Sequence, residues 1–229
     1  VTDEGLFDRL VPLLGEAGLE RLQKARILVV GVGGVGSFAV EALARSGVGG
    51  LTLVDGDTIR PSNTNRQLHA TKDTFGKKKA LVMKDRVQAI NPACEVRAVA
   101  EDFTGENAEV IFATAYDYVF DATDDIPAKV LLAVEAKKRS LPLLSSAGQG
   151  NRLYAEDIRI TDLFETEGDP LARKFRKHLR KEGVTTLETV FCFEKPEKKR
   201  SGVPSSSVFV PPVAGMRAGG HMIRKITGR

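Results

Sequence analysis

Residues Gly31-Val-Gly-Gly-Val-Gly36 place four glycines within six positions. Such glycines permit a tight turn and let a phosphate approach the main chain. A helix starting there adds unpaired N–H groups and a partial positive charge. Asp55 stands 24 residues beyond Gly31, where a carboxylate accepts hydrogen bonds from ribose hydroxyls. Gly31, Gly33, Gly34, Gly36 and Asp55 therefore define a nucleotide site, and the pattern fits NAD, FAD and ATP alike. Without a ligand the same residues make an ordinary strand-to-helix turn.

A second group of residues narrows the chemistry. Asp55-Gly-Asp57 leads into Ser62-Asn-Thr-Asn-Arg-Gln67, Lys79 opens an amphipathic stretch, and Asp121-Ala-Thr-Asp-Asp125 follows an apolar run. Together they offer carboxylates for ribose and metal, amides, and two cations, Arg66 and Lys79. Hydride transfer has little use for that set. Nucleotidyl transfer needs it, because negative charge grows on the pyrophosphate leaving group.

The elements that must hold these residues alternate. Residues 26–30 form a short apolar run that reads as a buried strand, followed by a helix over 35–46 stopped at Gly47. Strands are expected at 51–54, 95–100, 118–120 and from 143. Helices are expected at 80–90, 106–115 and from Pro127 to about residue 139, with Asp125 as its cap. Such alternation implies an α/β, Rossmann-like, doubly wound and mostly parallel sheet, with ligands beyond the carboxyl ends of its strands. Past Gly150 the alternation weakens. Residues 169–207 read as a long basic insertion or crossover, and 210–213 as a turn before a closing helix over 215–226.

The composition sets bounds. The chain has 229 residues, 42% hydrophobic and 28% charged, enough to bury a substantial core and too apolar for disorder. The longest apolar run is broken by the four glycines and falls short of the ~18 residues a membrane span requires. No signal-peptide pattern opens the chain, and two cysteines cannot build a disulfide framework, so a cytoplasmic protein is expected. The net charge of +4 permits a polyanionic partner. Residues 171–203 carry ten basic against four acidic residues, a stretch whose bland reading is a solvated surface.

The glycine loop, Asp55-x-Asp57, Asn63-Thr-Asn-Arg-Gln67, Lys79 and Thr123-Asp124 resemble, in order, the adenylation fold of the ubiquitin-activating-like enzymes. That group includes adenylating enzymes of the molybdopterin and thiamine pathways. The similarity runs over about residues 7–147 and, more loosely, through Val210-Pro-Pro-Val-Ala-Gly215. It implies one adenylation domain over 1–229, with a nucleotide-binding half at about 1–150 and a basic insertion plus closing segment at about 151–229. Phe7-Asp-Arg9, Ile90-Asn-Pro-Ala-Cys94, Ile160-Thr-Asp-Leu163 and Asp169-Pro-Leu171 are most similar to the branch that acts on threonylcarbamoyladenosine in tRNA.

That resemblance implies a reaction. ATP activates the threonyl carboxylate as an acyl-adenylate, and the tethered carbamoyl group then closes the ring, with loss of water, AMP and pyrophosphate. It also implies roles. The glycine loop and Asp55 hold the nucleotide, and Asp57 orients the Asn65-Arg66 loop or touches the nucleotide. Asn65 and Gln67 position the triphosphate, Arg66 and Lys79 are catalytic cations, and Asp124 is catalytic and binds magnesium. Arg9 reaches the site of a partner subunit, implying a homodimer. The alternative substrate is the C-terminal glycine of a ubiquitin-like or sulfur-carrier protein, with a possible sulfur relay. The Cys-x-x-Cys zinc pairs of many protein-activating members are absent from the sequence, so no zinc is expected. Cys94 and Cys192 lie among apolar residues and read as packing, with a transfer role for Cys192 the lesser reading.

Overall fold

A computed structural model describes residues 5–197 and 205–229. The helices, in chain order, are α1 (Val11–Leu14), α2 (Glu16–Lys24), α3 (Gly36–Arg45), α4 (Lys79–Ile90), α5 (Ala108–Phe112), α6 (Ile126–Lys138), α7 (Pro170–Lys181) and α8 (Val210–Thr227). The strands are β1 (Arg26–Val30), β2 (Gly50–Val54), β3 (Glu95–Val99), β4 (Tyr118–Asp121), β5 (Leu143–Ser146), β6 (Ile158–Asp162) and β7 (Glu188–Cys192). All seven strands join one sheet in the order β3-β2-β1-β4-β5-β7-β6, parallel except for β6.

The apolar run of β1 has no alternation because both its faces are covered. Ile27 and Val29 point into a core shared with α2, α3, α4 and α8, whereas Leu28 and Val30 point into a second core with α5 and α6. A third core lies under α7, where Phe175 and Leu179 meet Leu187 and Phe191 of the β7 region. Two helices start on side-chain caps at Asp–Pro or Asp–x–Pro sequences. Asp125 accepts from Ala128 N at 2.9 Å to open α6, and Asp169 accepts from Ala172 N at 2.7 Å to open α7.

The second half departs from the sequence reading in two places. Residues 169–207 are no appendage, because they contain α7 and β7, and β7 sits inside the sheet between β5 and β6. Charged and hydroxyl residues on either side of the short Val190-Phe-Cys-Phe193 run hide that strand from a pattern search. Residues 210–213 are the first turn of α8 rather than a turn before it. Pro211 and Pro212 fit there because first-turn N–H groups have no helical acceptor to lose. Helix α8 then lies tightly on α3: a Cβ at Gly215 would stand 2.2 Å from Val35 O, and one at Gly219 2.6 Å from Ala42 Cβ.

Candidate adenylation site

Strand order reverses between β1 and β4, so the loops leaving their carboxyl ends diverge and open a crevice. The glycine loop lines one side of it. Gly31 adopts φ +86° and donates to Val54 O at 2.8 Å, and a Cβ there would stand 2.7 Å from the Ala122 carbonyl carbon and oxygen. A Cβ on Gly36 would stand 1.8 Å from Gly31 O. The fold itself demands these two glycines. Gly33 differs, since the nearest atom to an added Cβ is Gln67 Nε2 at 3.7 Å, an ordinary contact. Packing therefore gives no reason for glycine at 33, whereas an approaching phosphate does. The N–H groups of Gly33, Gly34 and Val35 find no acceptor among the described residues.

Asp55 ties this loop to the end of β2. Its Oδ2 accepts from Val32 N at 2.8 Å and its Oδ1 from Asp57 N at 2.9 Å. Burial raises the carboxyl above its ordinary value, against the pull of Lys79 and the two N–H donors. Lys79, the third of three consecutive lysines, is the one drawn inside: it is 5% exposed and its Nζ meets Asp57 Oδ2 at 2.6 Å. Lys77 points to solvent and Lys78 reaches Gly56 O. The expected link from Asp57 to the Asn65-Arg66 loop is not made, because the Asp57 carboxylate is engaged by Lys79 instead.

Arg66 lies over the glycine loop, its Cγ 3.3 Å from where a Gly34 Cβ would stand. Its Nη1 donates to Ser62 O at 2.9 Å and Asn65 Oδ1 at 3.0 Å. Asn65 in turn donates to Ser206 O at 2.9 Å, joining this loop to the lead-in of α8. Gln67 is buried beside Gly33 with an Oε1 that has no partner among the described residues. Asp124, in the exposed loop after β4, makes no hydrogen bond or ion pair among the described residues. Gly31, Gly33, Gly34, Gly36, Asp55, Asp57, Asn65, Arg66, Gln67 and Lys79 thus join through these contacts around one crevice, and Asp124 belongs to the loop whose Ala122 and Thr123 stand against Gly31. Arg9 does not. Phe7, two residues before it, packs at Gly47 beyond the C-terminal end of α3, about 15 Å of helix from the glycine loop.

Three residues escaped the sequence reading. His69 is 3% exposed and its Nε2 lies 2.8 Å from Val32 O, so Val32 is gripped at both its N–H and its carbonyl. Burial lowers the imidazole's pKa, the Val32 carbonyl opposes it and Lys79 adds to the lowering. Lys129 lies wholly buried in α6, its Nζ 2.8 Å from Asp121 Oδ2, 3.1 Å from Ser145 Oγ and 2.8 Å from Ser146 O. The same Asp121 accepts from Thr123 N at 3.2 Å, fixing the loop that carries Asp124. Asn151 adopts φ +59° and bonds both Glu197 N and Ser205, the residues flanking 198–204. Spacing alone points to none of these partners, because each pairs residues from different elements.

The cysteines sit apart from this chemistry. Cys192 is fully buried, its Sγ 3.6 Å from Tyr154 O, and burial raises its thiol pKa; burial pushes the Cys94 thiol up to about 11. Neither is an activated nucleophile. No cluster of three or more His, Cys, Asp or Glu side chains suited to a metal occurs among the described residues, and no described helix is long and apolar enough to cross a membrane. A cavity of about 520 Å³ at the amino end of the sheet is lined by Arg21, Lys24, Glu188 and Lys225. Each of these is already bonded within the fold, so it offers no free group for chemistry.

A doubly wound sheet with a glycine-loop phosphate cradle and two cations beside it defines a nucleotide-binding protein of the adenylating type. The chain belongs to the ThiF family, whose pattern it matches over residues 7–225. It is 43% identical over 235 residues to the tRNA threonylcarbamoyladenosine dehydratase of Bacillus subtilis, covering 95% of this chain and 92% of that one. The crystal structure of the Escherichia coli tRNA N6-threonylcarbamoyladenosine dehydratase in complex with AMP superposes with a TM-score of 0.93 at 36% identity, over 97% and 94% of the two chains. The same enzyme in complex with ATP superposes at 0.92. A sulfur carrier protein adenylyltransferase from Thermus thermophilus is 38% identical over 60% of this chain and 51% of its own length.

Proposed function

We propose that the chain is a cytoplasmic enzyme that uses ATP to cyclise threonylcarbamoyladenosine in tRNA, with loss of one water through a carboxylate acyl-adenylate. The observation that carries this reading is likeness along nearly the whole chain, in sequence and fold, to dehydratases of that name, one of them solved with AMP and with ATP. The residues fit the nucleotide: Gly33 leaves space where packing asks for none, and Gln67 presents a buried oxygen without a partner.

In this reading the N–H groups of the glycine loop and Gln67 hold the phosphates, and Asp55 holds the ribose. ATP supplies the leaving group that activates the threonyl carboxylate. Lys79 and Arg66 lie where negative charge would increase as pyrophosphate departs. Lys79 is held ready by Asp57 and exchanges that carboxylate for phosphate oxygens, while Asn65 keeps Arg66 over the loop. Magnesium would offset phosphate charge, with Asp124 as the protein's carboxylate and other oxygens from phosphates and water, the usual habit of this ion. Ring closure needs no enzyme nucleophile, because the carbamoyl group is tethered to the carbon it attacks. The surface of α7, with Arg173, Lys174, Lys177, Arg180 and Lys181 exposed, suits tRNA phosphates. Lys198, Lys199 and Arg200 of the same basic stretch lie outside the described residues. Arg9, remote from its own crevice, serves the site of a second subunit in a homodimer.

The second reading is adenylation of the C-terminal glycine of a ubiquitin-like or sulfur-carrier protein, favoured by the Thermus relative and weakened by its shorter overlap. The test is incubation with ATP, magnesium and tRNA bearing threonylcarbamoyladenosine, then mass spectrometry of the digested nucleosides. ATP-dependent loss of one water is expected. An unchanged nucleoside, with AMP released on adding a carrier protein, would replace the first reading with the second.

A further inference from the structure

Aromatic side chains are scarce in this chain, 14 Phe and Tyr with no Trp, yet two of them stand out in solvent where β7 ends. Phe193 is 46% exposed and Tyr154 56%. Phe193 follows β7 directly and its N–H donates to Asp157 O at 3.0 Å. Tyr154 is fastened to the same strand end: its N–H donates to Glu194 Oε2 at 2.8 Å, and its carbonyl faces Cys192 Sγ. The Glu194 carboxylate is engaged by the N–H groups of Leu153 and Tyr154, which tempers the negative charge beside the two rings. The Phe193 ring is held in place by its neighbours. Phe191 meets it edge-on at 5.0 Å between centroids, and the Arg159 guanidinium lies 5.4 Å from its centroid.

The Phe193 ring has a place in the fold that suits nucleic acid. Phe191 belongs to the core beneath α7, so Phe193, two residues on along the strand, emerges on the face of the sheet that carries that basic helix. The crevice opens between β1 and β4, and β7 lies two strands beyond β4. At ~4.8 Å per strand the end of β7, and with it Phe193, stands about 10 Å from the β4 side of the crevice, a distance that a nucleotide or two spans. Single-stranded RNA is held by such combinations, bases stacking on aromatic rings and guanidinium planes while cations follow the backbone.

We propose that Phe193, with Arg159, is a stacking platform for an unpaired base of the RNA that brings its modified adenosine to the crevice. The proposal rests on the tRNA reading above and assigns the substrate's neighbouring base to named residues.

A chain without tryptophan provides its own probe. Phe193→Trp keeps an aromatic ring and installs the sole indole, so titration with tRNA should quench its fluorescence. Quenching should persist as salt rises at saturating tRNA, since stacking is not a phosphate contact. Phe193→Leu keeps an apolar group against Phe191 but offers no ring. It should raise KM for modified tRNA roughly tenfold, with KM for ATP and the melting temperature little changed. Unaltered indole emission, or an unchanged KM in Phe193→Leu, would overturn the platform even if the wild-type protein dehydrates tRNA. Quenching by tRNA without any dehydration by the wild-type protein would leave the platform standing and remove the proposed reaction.

Discussion

Two lysine–aspartate pairs sit near the carboxyl end of the sheet, and they are built for opposite ends. Lys79 and Asp57 meet at 2.6 Å on the rim of the crevice, with the lysine side chain 6% exposed and the aspartate 66%. Lys129 and Asp121 meet at 2.8 Å under the loop after β4, both fully buried. In the first pair the aspartate is bathed in water, so the lysine can leave it for another anion at small cost. In the second neither partner has anywhere to go. Separating them would leave a charge stranded in the interior, and the pair is further tied by Ser145 and the Ser146 carbonyl. In the proposed reaction the first pair would exchange partners, and the second is a fixed part of the floor beneath it.

The sharpest way to break this contrast is to remove each lysine. Lys129→Met should cost about 3–5 kcal/mol of folding free energy, read by denaturant unfolding, because Asp121 is left buried without its counter-ion. Adding Asp121→Asn should recover much of that loss. Lys79→Met should leave unfolding within about 1 kcal/mol of wild type and lower kcat on the order of a hundredfold in the tRNA assay. If Lys79→Met unfolds as readily as Lys129→Met, the rim pair is structural too and the contrast fails.

Asn151 gives a smaller effect that separates backbone from side chain. Asn151→Ala must hold φ +59° without the short polar side chain that eases that region for asparagine, and loses the Oδ1 that accepts from Ser205 N at 2.8 Å, so about 1–2 kcal/mol of destabilisation is expected. Asn151→Gly keeps the conformation and should lose about half as much by the same measurement. Smaller still is a pH effect at His69. Burial holds its folded pKa below the ordinary 6.5, so the unfolded chain binds the extra proton first. Its contribution is then fully present above about 6.5 and is lost as pH falls through that value toward the folded pKa. His69→Gln should flatten this acid-side slope in melting temperatures measured between pH 7 and pH 5.

The difference between the two pairs also marks what a sequence discloses. The rim group is carried by loops directly after β1 and β2, where glycines and runs of polar residues interrupt apolar strands, so Asp55, Arg66 and Lys79 stand out by type and order. Even there, only the family resemblance separates Lys79 from Lys77 and Lys78 in the sequence, and the fold supplies the reason by starting α4 at that residue and turning its side chain inward. Lys129 lies eight residues after Asp121 in what reads as an ordinary surface helix, and its burial depends on how α6 lies against β4 and β5. The strand β7 escapes a pattern search because its apolar run is only four residues long, and its place beside β5 is a matter of pairing across more than 40 positions. Residues 210–213 read as a turn because prolines are breakers in general, although they are tolerated in the first turn of a helix.

The grip of Asn151 on Glu197 and Ser205 has a consequence in chain entropy. Because one residue fastens both Glu197 and Ser205, those two positions are held together independently of the number of residues between them. Closure entropy grows only with the logarithm of length, so doubling the number of residues between those two anchors would cost about 0.6 kcal/mol. A peptide inserted there would leave the registers of β6 and β7 as they are and would emerge close to Asn65, whose amide holds Ser206 one residue beyond the clasp.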